Sequence, residues 1–111
     1  MKSIGSLIGA IGVIAFSLIA GAAWAQQASK SAGLDVARRI CSECHAVERR
    51  RGSSPNLDAP SFRRIAKTRG MTANFLSVEI RRAHEIMPNL NLNANELRDV
   101  MAYILSLRRA N

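Results

Sequence analysis

Apolar residues recur along most of this chain at spacings of three and four positions, the period of an amphipathic α-helix. The first such stretch after residue 26 places four residues on one helical face: Leu34, Ala37, Cys41 and Cys44. Ser31 precedes this face and can cap the helix, so the cysteines fall near its C-terminal end. No segment alternates apolar and polar residues as a half-buried strand does, and the pattern therefore predicts an all-α chain.

A second, shorter helix is predicted after the loop over residues 48–59, which contains several turn-forming residues. Asp58 can cap it, and Pro60 suits its first turn because proline lacks the N–H that would be unsatisfied there. The apolar side of this helix is formed by Phe62, Ile65 and Ala66. Gly70 provides the C-terminal stop, since glycine readily adopts the conformation that ends a helix.

The third predicted helix begins after Thr72, whose hydroxyl can cap it. Its buried stripe is predicted to consist of Phe75, Leu76, Ile80 and Ala83. The stripe stops before Met87-Pro88, because the residue before a proline is pushed away from helical geometry. Residues 89–92 are therefore predicted to form a loop.

The last predicted helix has the most regular pattern. Asn93 and Glu96 have the spacing of a capping box at its start. Its apolar stripe is formed by Leu97, Val100, Met101, Ile104 and Leu105. Arg108 and Arg109 lie in its last turn, where positive charge suits the helix dipole. The whole pattern gives four helices in one domain.

The N-terminal segment has the pattern of an export signal. An apolar stretch covers residues 4–23, and Ala23-Trp24-Ala25 matches the small-x-small pattern of a signal-peptidase site. We expect cleavage after Ala25, which makes residues 1–25 a signal peptide and residues 26–111 the mature domain. An uncleaved anchor is the alternative, because about 20 apolar residues can span a bilayer.

Composition adds a constraint on the core of this domain. The chain has 111 residues and only two cysteines, which are separated by two positions. A domain this small buries little apolar surface by itself, and one disulfide across such a short loop would add little stability. Small exported domains usually solve this problem with disulfides or a metal. We therefore expect a large apolar cofactor to complete the core.

Residues 41–45, Cys-Ser-Glu-Cys-His, form the C-x-x-C-H signature of c-type haem attachment. Cys41 and Cys44 each form a thioether bond to one haem vinyl group, and His45 is then placed to bind the iron. A thioredoxin-like redox motif is an alternative, but it needs a βαβ context. Half of a zinc site is another, but zinc usually takes four ligands and His84 is the only further donor of that kind.

The second axial ligand has four candidates. Met87 is preferred, because the end of a helix and Pro88 together produce an extended loop that can present a thioether to the iron. Met101 lies on the buried stripe of the last helix and is expected to pack in the core. Met71 would reach the haem only after a loop rearrangement. His84 is the main rival, and ligation by two histidines would lower the reduction potential.

With these residues in place, the chain resembles a monohaem class I cytochrome c of the small bacterial type over nearly all of residues 26–111. The resemblance implies about four helices around one covalent haem. It implies that Gly33 meets Tyr103 where the first and last helices cross nearly at right angles, and that Met87 is the distal ligand.

The resemblance also implies further residues around the haem. The Pro55 carbonyl would accept a hydrogen bond from the second ring nitrogen of His45. The family often has glycine before this proline, whereas this chain has Ser54. The Ala-Pro-Ser-Phe run over residues 59–62 resembles a subgroup of short bacterial cytochromes, and Phe62 is counted among the cofactor-binding residues. Arg63 or Arg64 would replace the tryptophan that holds a haem propionate in many relatives.

The expected function is one-electron transfer in the periplasm. The net charge of +8 favours redox partners with acidic docking surfaces, and Arg49–Arg51 would rim the exposed haem edge. We expect a monomer with peripheral contact to anionic membranes and no binding to nucleic acid. Binding of a small gas such as NO or CO, or a role as the haem subunit of a larger dehydrogenase, are the alternatives. The sequence contains no paired carboxylates and no nucleophile–base pair that would predict an independent enzyme.

Overall fold

The computed structural model describes residues 27–83 and 90–109. These residues form four α-helices and no strand, so the predicted all-α class and helix number are confirmed for the part of the chain described. The helices are α1 (Lys30–Val36), α2 (Phe62–Lys67), α3 (Ala73–Ala83) and α4 (Ala94–Ser106). A π-helical segment, Ala37–Cys41, extends α1, and a 3-10 turn, Leu107–Arg109, follows α4.

Three predicted features lie outside the described residues. They are the signal peptide over residues 1–25, the axial ligand candidate His84 and the preferred axial ligand Met87. Within residues 27–83 and 90–109, each helix is too short or too polar to cross a membrane.

Helices α1 and α4 pack directly against each other at Gly33. A Cβ atom at Gly33 would lie 2.0 Å from the Asp99 carbonyl oxygen and 2.8 Å from the Tyr103 Cβ. Only glycine therefore allows this approach, and the predicted contact between Gly33 and Tyr103 is present. The Ser29 N–H donates to the Asp99 carboxylate at 2.8 Å, which ties the start of α1 to the same side of α4.

Two predicted helix caps are wrong by a few residues. Ser29, not Ser31, caps α1, because Ser29 has an extended backbone and its hydroxyl accepts from the Ala32 N–H at 3.2 Å. Ser61, not Asp58, caps α2 and accepts from the Arg64 N–H. Asp58 lies three residues before this cap, in a turn in which its N–H donates to the Asn56 side chain.

The caps of the two longer helices agree with the sequence pattern. The Thr72 hydroxyl accepts from the Phe75 N–H at 3.1 Å, and Asn93 and Glu96 form a complete capping box. Leu76 and Ile104 of the predicted stripes are buried. Phe75 is an exception, because half of its side chain is exposed rather than packed in the core.

Arg108 has a more specific role than its predicted interaction with the helix dipole. Its guanidinium donates to the Ala66 carbonyl at 3.1 Å and also to the Met71 carbonyl. The Ala66 carbonyl belongs to the last turn of α2, where carbonyls have no partner within the helix. Arg108 therefore ties the 3-10 turn after α4 to the end of α2 and to Met71, which lies just before α3.

Candidate cofactor site

The two cysteines and His45 lie within one compact turn at the end of the first helical segment. Cys41 ends the π-helical extension of α1, and its carbonyl accepts from the N–H groups of Cys44 at 3.2 Å and His45 at 2.9 Å. Because one carbonyl holds both residues, the backbone stays helical in character through the motif. Local π geometry of this kind is common at functional sites.

Both cysteines are free thiols, and their surroundings differ. Cys41 is 8% exposed, and burial raises the pKa of its thiol to about 11. Cys44 is half-buried. A thiol–disulfide catalyst needs a cysteine with a lowered pKa, since the thiolate is the nucleophile. Cys41 remains protonated at neutral pH, which disfavours the thioredoxin-like interpretation of the motif.

The His45 ring is oriented by a backbone carbonyl. Its Nδ1 lies 2.7 Å from the Pro60 carbonyl oxygen. A carbonyl only accepts, so Nδ1 carries the hydrogen, and the lone pair of the neutral ring is on Nε2. This is the tautomer that a metal bound at Nε2 requires.

The carbonyl partner of His45 corrects the sequence-based assignment, which named Pro55. The loop over residues 54–62 runs alongside the motif and is bonded to it at two points. The Asn56 N–H donates to the Cys44 carbonyl at 3.2 Å, and the Phe62 N–H donates to the Ala46 carbonyl at 3.0 Å. These bonds bring the carbonyl of Pro60, and not that of Pro55, to the imidazole. The sequence feature that could have indicated Pro60 is the Ala-Pro-Ser-Phe run over residues 59–62.

Phe62 packs against the ring of His45. The two ring centroids are 5.5 Å apart, and a second contact of 6.5 Å joins Phe62 to Tyr103. Phe62 is only 4% exposed and lines a small hollow of about 40 Å³ together with Cys41 and His45. Phe62 therefore lies beside the motif, and its predicted contact with a cofactor stays a prediction.

A larger cavity of about 600 Å³ opens beside Cys44 and His45. Its apolar wall includes Ile65, Met71, Phe75, Leu76 and Ile80. The charged residues that line it are Asp58, Arg64 and Glu79. Cofactor pockets typically measure about 300–1,000 Å³ and combine apolar walls with a few polar groups. Size and lining thus suit a large, mainly apolar cofactor anchored from the side of the motif.

Two residues of this cavity wall differ from the sequence-based expectation. Met71 lines the cavity directly, with 7% of its side chain exposed, so no loop rearrangement is needed to bring it there. Its position is fixed by the bond from Arg108 to its carbonyl, which no sequence pattern indicated. Phe75, assigned to the core from its helical spacing, contributes to the wall instead. Met101 is partly buried and packs against the core, as predicted.

The arginine run Arg49–Arg51 does not line the cavity. Its three side chains are exposed and follow Glu48, which pairs with Arg38 of the π-helical segment at 2.6 Å. This hydrogen bond lowers the pKa of the Glu48 carboxyl. The arginine that does line the cavity is Arg64 of α2. The predicted position of the run Arg49–Arg51 at an exposed haem edge stays a prediction.

Within residues 27–83 and 90–109, no group of three or more His, Cys, Asp or Glu side chains is arranged to hold a metal ion. No protein-family model, curated protein or solved structure matches this chain. Function is therefore inferred from the geometry around Cys41, Cys44 and His45.

Proposed function

We propose that this chain holds one c-type haem covalently and works as a one-electron carrier of the small class I cytochrome c type. The observation that carries the proposal is the position of the C-x-x-C-H motif. Cys44 and His45 line a cavity of about 600 Å³ with a largely apolar wall, and His45 has the tautomer suited to metal binding.

Cys41 and Cys44 would hold the haem through thioether bonds, in which each S–H adds across one vinyl group. The neutral thiol that burial maintains at Cys41 is the group consumed in such an addition. His45 would bind the iron through Nε2. When bound, the haem supplies an iron that accepts and releases one electron.

The remaining described residues would prepare the site rather than react. The Pro60 carbonyl holds the His45 ring, and the bond to Nδ1–H makes the imidazole a stronger donor to a metal. Leu76, which is 2% exposed, and Ile80 contribute apolar side chains to the cavity wall from α3. Met87 remains the proposed second axial ligand and His84 its alternative.

The test is to express the protein together with the haem-maturation machinery and to record oxidised and reduced absorption spectra. We expect haem that survives acid–acetone extraction, a low-spin reduced spectrum, a methionine–iron charge-transfer band and no change with CO. Extractable haem would contradict covalent attachment. A high-spin spectrum that responds to CO would still support a bound haem but would favour gas binding over electron transfer.

Variants within the motif sharpen this test. Cys41→Ala and Cys44→Ala should each remove one thioether bond, and His45→Ala should abolish the low-spin spectrum. Glu43→Ala is the matched control, because Glu43 is exposed and the signature needs no particular residue there. Met87→Ala should remove the charge-transfer band. A band that persists in this variant would show that another residue is the ligand.

We propose export to the periplasm with cleavage after Ala25, and mass spectrometry of the exported protein should give a chain that starts at Gln26. We further propose a monomer that meets acidic redox partners through the basic side of α2. Arg64 and Lys67 are exposed there, and neither forms an ion pair within the described part of the chain.

The partner surface can be tested with a small redox anion. Oxidation of the reduced protein by ferricyanide should slow markedly in Arg64→Glu, because Arg64 lines the cavity and attracts an approaching anion. Arg50→Glu makes the same charge change in the exposed run and should have a smaller effect. Equal effects would show that only net charge matters. A flavin or quinone enzyme that co-purifies stably would instead favour the role of a dehydrogenase subunit.

A further inference from the structure

Ala46, the residue after His45, is held through both of its backbone groups. Its N–H donates to the Ser54 Oγ at 3.0 Å, and its carbonyl accepts from the Phe62 N–H at 3.0 Å. Ala46 is 1% exposed, so water cannot replace a lost partner of its N–H. The hydroxyl of Ser54 therefore satisfies a buried donor directly beside the proposed iron ligand.

Ser54 differs from the other serines of the described residues. It is 9% exposed and is the only one of them that is buried. Its neighbour Ser53 is exposed. Burying a hydroxyl is unfavourable unless it is hydrogen-bonded, and here the bond crosses from the loop over residues 54–62 to the motif segment.

We infer that Ser54 is a positioning residue for His45. Its hydroxyl fixes Ala46 against the loop, and this fixes the imidazole against the Pro60 carbonyl, 2.7 Å from Nδ1. The inference rests on the proposed function, because the exact orientation of the ring matters most for a metal ligand.

The physical consequence is a lower reduction potential than the protein would have without this hydroxyl. A firm bond from Nδ1–H to a carbonyl makes the imidazole a stronger donor, and a stronger donor favours the more positively charged oxidised iron. Loss of the Ser54 hydroxyl leaves the Ala46 N–H without its partner, so the segment moves and the bond to Pro60 weakens.

The first experiment compares Ser54→Ala with Ser54→Thr in the haem-loaded protein. In Ser54→Ala we expect a higher reduction potential. We also expect the His45 Nδ1–H to exchange with solvent about tenfold faster or more, as measured by NMR of the reduced protein. Ser54→Thr keeps the oxygen and should lie closer to the wild type in both quantities. Ser53→Ala is the matched control and should behave as the wild type.

A second control separates positioning from a general loss of stability. Asn93→Ala removes the capping box of α4, and this capping box has no hydrogen bond to the loop over residues 54–62. The variant should therefore lower stability without changing the reduction potential. The inference is overturned by a Ser54→Ala protein with wild-type potential and exchange. It is equally overturned when Asn93→Ala changes the potential as much as Ser54→Ala does.

A measurement on the wild-type protein covers the case in which Ser54→Ala does not accumulate. The Ala46 amide and the His45 Nδ1–H should have equal free energies of opening in hydrogen exchange, because opening of the bond from Ala46 to Ser54 should also release the bond from Nδ1–H to Pro60. Unequal values contradict the inference. Wild-type protein that acquires no covalent haem contradicts the proposed function instead, whereas haem-loaded protein with no Ser54 effect contradicts this inference alone.

Discussion

The crossing of α1 and α4 and the loop around His45 are held together in different ways. At the crossing, two regular helices meet so closely that a Cβ at Gly33 would lie 2.0 Å from the Asp99 carbonyl oxygen. Around His45, the loop over residues 54–62 has no repeating pattern and is held by individual hydrogen bonds to residues 44–46. The crossing is therefore sensitive to added volume, and the loop to single donors and acceptors.

Phe62 connects the two regions. It packs against His45 on one side, with centroids 5.5 Å apart, and against Tyr103 on the other, at 6.5 Å. Variants of the crossing should change stability and leave the surroundings of His45, the proposed iron ligand, unaltered. Variants of the loop should change the surroundings of His45 at a smaller cost in stability, and Phe62 should affect both.

Phe62→Ala should have the largest effect. Removal of a ring that is 4% exposed should lower the free energy of unfolding by about 3–5 kcal/mol, measured by chemical denaturation of the haem-loaded protein. The reduction potential should also change, because His45 loses a ring contact. Val78→Ala is the control, since Val78 is 48% exposed, does not line the cavity and should cost less. Equal losses for the two variants would contradict the central position of Phe62.

Gly33→Ala should disrupt the crossing without affecting the loop. The added Cβ meets backbone atoms of Asp99, which cannot move aside as a flexible side chain would. We expect a loss of about 1–3 kcal/mol, despite the better helix propensity of alanine. Gly52→Ala is the matched control, because a Cβ there has nothing within 4 Å. A changed reduction potential in Gly33→Ala would show that the two regions are not separable.

The difference between the regions also explains what the sequence could predict. Helical period and cap chemistry are local, and they correctly gave four helices and the capping box at Asn93. The close contact at Gly33 was expected from the family resemblance and not from the helical period. The C-x-x-C-H motif is local too, and two of its residues, Cys44 and His45, line the larger cavity.

Apart from the two misplaced helix caps, the errors fall where the structure depends on long-range bonds. Pro55 and Pro60 both precede α2, and only the bonds of Asn56 and Phe62 to the motif decide which carbonyl faces His45. Met71 is held at the cavity wall by a hydrogen bond from Arg108, which is distant in sequence, to its carbonyl. The half-exposed Phe75 shows the same limit, because helical spacing cannot distinguish a core position from the wall of a cavity.

Tyr103→Phe should have an intermediate effect at the crossing. The Tyr103 hydroxyl donates to the buried Val47 carbonyl at 2.6 Å, and its loss should cost about 1–2 kcal/mol. Burial raises the pKa of Tyr103 above its ordinary value of 10.0. The folded protein therefore holds this proton more tightly than the unfolded chain, and the resulting stability is complete below pH 10 and is lost as the pH rises through the folded pKa.

Denaturation curves at a series of alkaline pH values test this prediction. The wild type should lose stability above pH 10, and part of that loss should be absent in Tyr103→Phe. Parallel curves for the two proteins would contradict a buried hydrogen-bonded hydroxyl. The reduction potential at neutral pH should be the same in both, since Tyr103 belongs to the crossing.

The smallest effect on stability, and the sharpest test of the loop, comes from replacing each proline in turn. Pro60→Ala and Pro55→Ala both give the unfolded chain more freedom, and each should cost about 0.4–1 kcal/mol. Only Pro60→Ala should raise the reduction potential, because a less rigid residue 60 holds its carbonyl less firmly against the His45 Nδ1–H. A rise in Pro55→Ala alone would reinstate Pro55 as the partner of His45. Equal rises would mean that the loop responds as a whole, and that no single carbonyl sets the donor strength of the imidazole.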